Sequence, residues 1–513
     1  MSEAPVPTGE PAAERTTADV VVVGGGVAGL VAALECAKVG LRVTVLERRD
    51  ELGGCVGRIE LDGLTLDSGA ESFATRGGAV AELLGSLGLD AEIEDPNPAG
   101  AWLAMPGRHG LTAAPLPKTG MLGIPSNPLG DDVRRIIGWS GAIRAYGDRL
   151  RPILRIGRAR SLGQLVRSRM GQAVLDRLVT PIAAGVYSTD PNDLDLDVVA
   201  PGLNEAMTRM GSLSGGVGQL VEARKAGAAV RGISGGMHRL VDALEGELAR
   251  FGVTVVRGAE VTGLVREPRL AESVSDETGP SSAGTGDDAA GWIVTATTEA
   301  GELFVSGPDV VLAASGHAAL ALVDAALDGW ARGSETWPDA ASVELVTLVL
   351  DAPALDAAPR GTGVLVAADA PGVQAKALTH STAKWPWLAE HAGGRHVVRL
   401  SYGRAGSPNP LDGRTDAEVA ALALADAAPL LGVHLDEGML RASGRTLWRD
   451  ALSQATLGQR DRVRALEAAL AAEPGIEATG SWVAGTGLAS VVLHALDAAR
   501  RIRHRRVQPD GGA

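Results

Sequence analysis

Aromatic side chains are scarce in this 513-residue chain, which has three Phe, three Tyr and nine Trp. Those numbers do not furnish the stacking platforms that hold single-stranded nucleic acid. Positive charge is also short. Lys and Arg number 48 against 62 Asp and Glu, leaving a formal charge of −14, so nucleic acid is not expected as a partner. The only cysteines are Cys36 and Cys55, which excludes a disulfide framework and a Cys-rich zinc module. The nine histidines are scattered, none with a partner at ligand spacing, and no metal is expected. No Ser-His-Asp set or pair of carboxylates stands out. Long apolar runs are missing too. The longest uncharged one, residues 20–34, has glycines at its centre and is short for a membrane span. Residues 2–17 have neither a basic n-region nor an apolar h-region and do not read as a signal peptide. The expectation is a cytoplasmic protein, with peripheral membrane attachment left open.

What is present is ample apolar bulk, 45% of residues, and 68 glycines. A chain of this length needs more than one core. Residues 18–23 (ADVVVV) form the continuous β-branched run of a buried parallel strand. A glycine turn follows at 24–29, then a helical pattern at 30–39 and a second strand at 41–46. Residues 125–215 read mostly helical, as do 235–250, 415–430 and 461–472. Strands are expected at 253–256, 261–265, 292–297, 303–306 and 309–313, and those of a second sheet at 343–350, 363–367 and 396–402. Residues 476–484 read as a strand, and 485–503 as a glycine turn opening a last helix. The polar stretch 268–291 reads as a disordered hairpin loop. The segments before about residue 17 and after 506 read as disordered or frayed.

The turn Gly24-Gly25-Gly26-Val27-Ala28-Gly29 fits G-x-G-x-x-G through Gly24, Gly26 and Gly29. The first glycine permits the tight turn, the second lets a pyrophosphate approach the backbone, and the third lets helix pack on strand. The phosphates then sit at the helix N-terminus. Glu47 ends the second strand, where a carboxylate can accept hydrogen bonds from a ribose diol. A packing turn would show the same short pattern. The strand before, the helix after and the spaced acid select dinucleotide binding.

A second glycine pair separates FAD from NAD. From Glu47 and Arg48 the chain runs through Gly53, Gly54 and Cys55 to Arg58, as E-R-x-x-x-x-G-G-x-x-x-R. This resembles the extended FAD fingerprint of the amine oxidase and phytoene desaturase superfamily. The resemblance implies that Gly54 and Cys55 lie along the flavin and that Arg58 helps to position it. Asp67-Ser68-Gly69-Ala70-Glu71-Ser72 resembles that superfamily's D-x-G segment beneath the isoalloxazine, and Val261 is implied as a further cofactor contact.

Longer stretches narrow the resemblance. Residues 116–125 (LPKTGMLGIP), 161–171 (SLGQLVRSRMG), 181–190 (PIAAGVYSTD), Lys384-Trp385-Pro386, 448–454 (WRDALSQ) and Gly485-Thr486-Gly487-Leu488 are similar, in order and spacing, to the bacterial coproporphyrinogen III oxidase and protoporphyrinogen oxidase family. Departures stand at Thr189, where the family often has Gly, at Cys55, where Lys, Arg or Trp is common, and at Ala489-Ser490. The resemblance implies an FAD enzyme that takes six electrons from coproporphyrinogen III in three steps for haem synthesis. The flavin accepts hydride and dioxygen reoxidises it to give hydrogen peroxide. Thr486, Gly487 and Leu488 would close over the flavin. Trp448 is either core or a flavin-edge contact. Gly185 is either a bare turn residue or the point where backbone meets the porphyrinogen, and Glu71 either an ion-pair partner or a cofactor contact. Cys36 reads as a small buried apolar residue.

The expected architecture is α/β: a Rossmann-like FAD-binding domain (18–95, 216–318 and 441–506), a sheet-based substrate domain (96–124 and 319–440) and a helical insertion (125–215). Residues 134–169 carry ten arginines and one acid, Asp148. They are either a solvated surface or a field for an anionic substrate, a membrane face or the next enzyme. The alternatives are a protoporphyrinogen IX oxidase, an amine oxidase or desaturase, and a flavin-binding interaction protein without turnover. An amine oxidase would need an aromatic cage that so few Tyr and Phe hardly supply.

Overall fold

The computed structural model describes residues 14–151, 158–223, 229–267, 291–327, 330, 333–338, 341–404, 406–452 and 455–507. The β-branched run becomes the strand Val20–Val23, buried at all four positions, as both faces of an interior parallel strand are. It lies centrally in a five-stranded, all-parallel sheet in the order Thr254–Val256, Val43–Leu46, Val20–Val23, Asp309–Leu312, Ile476–Ala478. The chain leaves Val20–Val23 to one side first and returns to the other later. A crevice therefore opens at the carboxyl ends of these strands.

Helices Val27–Ala37, His238–Arg250 and Leu488–Val507 cover one face of this sheet in a single apolar cluster that includes Cys36. On the other face lies a four-stranded sheet in the order Glu14–Thr17, Gly301–Gly307, Trp292–Thr298, Glu260–Arg266. Two expectations are corrected here. Residues 14–17 are not structureless, because they pair in parallel with Leu303–Ser306. Their side chains are all exposed, so the strand is held mainly through main-chain bonds, with Arg15 over the Phe304 ring at 5.4 Å, and no hydrophobic pattern announces it. Residues 476–484 are not one strand. Only Ile476–Ala478 is extended, and Gly480 turns the chain into the short helix Ser481–Ala484. The loop expected at 268–291 falls almost wholly outside the described residues, but the strands on either side of it pair antiparallel.

The second large sheet has seven strands, in the order Leu440–Leu452, Ala341–Leu350, His396–Tyr402, Ala377–His380, Gly363–Val366, Ala101–Gly107, Gly110–Pro115. Helix Asp416–Leu431 packs on it and starts at a reciprocal cap between Thr415 and Glu418. Leu440–Leu452 is a further correction. The layout expected above gives residues from 441 to the nucleotide-binding part, yet this strand pairs along Ala341–Leu350. Its three arginines hide the pattern, and one of them, Arg445, is held by the buried carboxylate of Glu344.

Residues between 125 and 222 are mainly helical around their own core. Most of the described arginines in 134–169 are engaged in it. Arg144 and Arg151 donate to the carbonyl of Ser168 at 3.1 and 2.8 Å, closing the helix Leu162–Met170. Arg169 pairs at 2.5 Å with the fully buried Asp148, and Arg158 pairs with Glu205. Arg155 lies outside the described residues. Packing thus accounts for much of the charge that the sequence sets apart.

The C-terminal helix is locked to the parallel sheet by charge. Asp309, fully buried at the head of its strand, accepts from Arg505 at 3.0 Å and Arg506 at 2.5 Å. Arg501 and Arg505 both hold Glu477 on the neighbouring strand at 2.8 Å. Replacing Arg505 and Arg506 together with Ala strands a buried carboxylate. Unfolding free energy should fall by about 3–5 kcal/mol, read from the shift in denaturant midpoint at unchanged slope.

Candidate functional site

A cavity of about 610 Å³ lies where the carboxyl ends of the parallel strands face the seven-stranded sheet. Its sheet-side wall begins with Val23 and Gly24, then Leu46 and Glu47, then Ala313 and Ala314. The glycine turn is compelled by contact. A Cβ on Gly29 would sit 2.0 Å from the carbonyl oxygen of Gly24, and Gly24 itself has φ +108°, a conformation open mainly to glycine. The Gly25 amide donates to Glu47 at 2.6 Å, and the Arg49 amide donates to the other Glu47 oxygen at 2.9 Å. The carboxylate expected to bind ribose therefore also fixes the turn beside it.

The wall fits a flavin dinucleotide. The helix Val27–Ala37 begins at Gly26 with no side-chain cap and no acid in its first turn, so its amides are left for phosphate. Added Cβ atoms on Gly26 and Gly54 would meet within 4 Å only each other's Cα, and one on Gly487 would meet nothing. These positions form a bare cradle facing the cavity. The Gly53–Gly57 and Asp67–Ala70 segments are laced together. The Ala70 amide donates to the Cys55 carbonyl at 2.9 Å, and the Trp448 indole donates to the Ser68 carbonyl at 2.8 Å. Arg49 lies over the Trp448 ring at 4.8 Å. Cys55 is open to the cavity, while the protein around it pushes its thiol up.

The expected residues divide cleanly. Gly24, Gly26, Val27, Ala28, Glu47, Arg48, Gly54, Cys55, Gly69, Ala70, Val261, Trp448, Thr486, Gly487, Leu488 and Gly185 all line this one cavity. Gly25, Gly29, Arg58, Glu71 and Ser72 do not. Gly25 and Gly29 serve the turn. Arg58 lies outside the cavity lining, on the hairpin strand Arg58–Leu61, and its guanidinium faces Asp242 at 3.3 Å. Ser72 is half-buried behind the wall.

Glu71 belongs to a charge cluster behind the cavity. Its side chain, 10% exposed, takes Lys384 at 2.5 Å and Arg399 at 3.0 Å, and Ser381 donates to it at 3.4 Å. Burial alone would raise its pKa, but Arg399 and Lys384 together hold it down at about 2. Arg399 also donates to the carbonyls of Asp67 and Gly69, at 3.1 and 2.7 Å. Asp67 in turn accepts from the amides of Met237 and His238 at 3.1 and 3.3 Å, at the start of helix His238–Arg250. Among the wall residues that the sequence reading does not assign to the site are Arg399, Lys376 and Ser188. A lone Lys or Arg on a strand carries no local signal, although Lys376 interrupts an apolar stretch.

A glycine turn at the switch point of a parallel sheet, opposed across one cavity by a mixed seven-stranded sheet, defines a dinucleotide-dependent oxidoreductase. The chain belongs to the flavin containing amine oxidoreductase family, which matches residues 27–503, and its cofactor is a flavin; the dinucleotide turn selects FAD. It is similar to the coproporphyrinogen III oxidase of Bacillus subtilis (strain 168), 26% identical over 484 residues that cover 91% of this chain and 94% of that one. It is also similar to the coproporphyrinogen III oxidase of Propionibacterium freudenreichii subsp. freudenreichii, 27% identical over 530 residues, covering 96% and 92%. A crystal structure from Exiguobacterium sp. 255-15, provisionally assigned as a protoporphyrinogen oxidase, shares the fold with TM-score 0.76 at 23% identity, covering 97% of this chain and all of that one. Among the described residues no helix is long and apolar enough to cross a membrane.

Replacing Glu47 with Ala removes charge-assisted acceptors and loosens the turn at Gly25. FAD affinity should weaken by about 1.5–3 kcal/mol, measured as the dissociation constant for FAD rebinding to the stripped protein.

Proposed function

We propose that this protein oxidises coproporphyrinogen III to coproporphyrin III, removing six electrons in three steps, with dioxygen as final acceptor and hydrogen peroxide as co-product. The lining of the cavity carries this reading beside the relatives. Among the described residues its one aromatic side chain is Trp448, and these residues build no aromatic cage for an amine. Its far wall instead holds Gly185, Ser188, Lys376, Thr379, Arg399 and Ser401, groups able to meet a polar macrocycle.

In this reading the Gly24–Gly26 turn and the first amides of helix Val27–Ala37 would hold the pyrophosphate of FAD, and Glu47 would take the ribose. Gly54–Cys55 and Gly69–Ala70 would receive the ring system, and Thr486–Leu488 would close over it. When bound, FAD supplies the two-electron acceptor for each step. The protein's task is then to hold the macrocycle's bridging carbons against the acceptor and to keep water out. The bare Cα of Gly185 suits it to close approach. A Cβ there would sit 2.7 Å from the Leu365 side chain. Arg399 keeps the Gly69–Ala70 backbone in place through its carbonyl bonds.

Coproporphyrinogen III carries four propionates, and protoporphyrinogen IX has vinyl groups in place of two. A site with several polar groups is costly to face with vinyls. The protein should show a higher kcat/KM for coproporphyrinogen III, with slower use of protoporphyrinogen IX, when porphyrin fluorescence is followed at equal substrate concentrations with peroxide measured in parallel. A clear preference for protoporphyrinogen IX would move the protein to the other oxidation, and no turnover of either would sink the porphyrinogen reading.

A further inference from the structure

Lys376 stands in the wall of the cavity immediately before the strand Ala377–His380, yet it is only 1% exposed. Among the described residues no carboxylate pairs with it. Its Nζ instead donates to the hydroxyl of Ser188, itself 2% exposed and also in the cavity wall. Ser188 ends the helix Thr180–Tyr187 with φ +53°, an uncommon conformation for a residue with a side chain. The left-handed turn delivers a hydroxyl to an amine that has no counter-charge.

The groups around this amine explain its state. The carboxylate of Asp426, on helix Asp416–Leu431, is taken up by the amides of Gln374 and Ala375 and by the Tyr402 hydroxyl. On and beyond the strand His396–Tyr402 stand Arg399, engaged with Glu71, and Arg404. Strand Gly363–Val366, whose Val366 amide bonds the Lys376 carbonyl, offers no titratable group. On the helix that ends at Ser188, burial raises the Tyr187 phenol and keeps it neutral. Burial, and then the repulsion of Arg404, bring the Lys376 ammonium down to about 7.

We propose that Lys376, held by Ser188, is the base that takes the pyrrole N–H proton released as the porphyrinogen is oxidised. The inference rests on the porphyrinogen reading above. In each two-electron step a bridging methylene C–H bond breaks and its hydrogen leaves with the bonding pair to FAD. In two of the three steps a pyrrole N–H bond also breaks: its pair stays on the ring to form the new double bond, and the proton passes to the neutral amine, giving an ammonium. In the remaining step the proton comes from the fourth bridging carbon, so that four C–H and two N–H bonds are lost in all. Each proton taken by the amine then returns to solvent, and the next step finds the amine neutral again. A neutral amine with a pKa near the working pH is suited to this role.

The test follows anaerobic flavin bleaching in the FAD-loaded full chain, mixed with coproporphyrinogen III at pH values on both sides of neutrality. In the wild type the bleaching rate should fall below pH about 7, as the amine becomes protonated. Lys376→Ala and Lys376→Arg should both lose at least ~100-fold in rate and lose the acid limb, while KM moves only a few-fold. Small primary amines should restore the Lys376→Ala rate, more so the more basic the amine. If Lys376→Ala does not hold FAD, Lys376→Met, closer in volume, takes its place. A readout independent of turnover comes from melting. The unfolded lysine, with its ordinary pKa of 10.5, binds a proton that the folded one releases at about 7. Wild-type stability relative to Lys376→Met should therefore rise as pH goes from neutral toward 10.5. Retention of the acid limb in Lys376→Ala would overturn the proposal. So would a Lys376→Arg variant of full rate beside a Lys376→Ala variant altered only in KM, since the group would then be a carboxylate anchor. A wild type whose flavin no porphyrinogen bleaches would overturn the porphyrinogen reading, and this assignment with it.

Discussion

The cavity exists because one buried carboxylate is held by cations from the facing sheet. Glu71 follows the glycine-containing segment that forms the floor of the cofactor side. Its partners Arg399 and Lys384 lie in and near the seven-stranded sheet. A charge so buried is costly when unpaired and tolerable when its oxygens are satisfied. Here Lys384, Arg399 and Ser381 all meet it. Arg399 then reaches past Glu71 to the Asp67 and Gly69 carbonyls, so one guanidinium fixes both the backbone beside the cofactor and the wall opposite it.

This arrangement links the two halves of the chemistry. The parallel sheet presents a helix N-terminus and an acid to a dinucleotide, and the seven-stranded sheet with the residue just before one of its strands presents Lys376, Thr379, Arg399 and Ser401 to whatever is oxidised. Trp448 supports the same joint from the edge strand Leu440–Leu452. Its indole holds Ser68, and added Cβ atoms on Gly57 and Gly69 would meet its ring at 3.5 and 3.3 Å. Its place is therefore in the wall of the cavity, bracing the floor.

The cofactor side was largely legible in the sequence because its signals are local. The glycine turn, Glu47 and the second glycine pair fall within about thirty residues, and each follows from a backbone, phosphate or ribose requirement. The substrate side was less legible. Glu71 and Arg399 are distant in sequence, and a single arginine on a strand looks like any solvated charge. Leu440–Leu452 was missed because its arginines break the alternation that marks a strand. The motif that singles out Arg58 fixes its position along the chain, whereas its partner, Asp242, is set by tertiary packing. The arginines of 134–169 looked like a field because sequence does not show that Arg144, Arg151 and Arg169 face inward to carbonyls and to Asp148.

The dependence of the cavity on the Glu71–Arg399 pair is tested most directly by a double-mutant cycle in FAD affinity. Glu71→Gln and Arg399→Met would be measured singly and together, with the FAD dissociation constant of each refolded, monodisperse protein as the readout. Each single change leaves a buried charge short of a partner and should weaken FAD, while the double change should cost no more than the worse single one, a coupling of about 0.5–3 kcal/mol. Strictly additive effects, or FAD affinities unchanged in both single variants, would contradict the account.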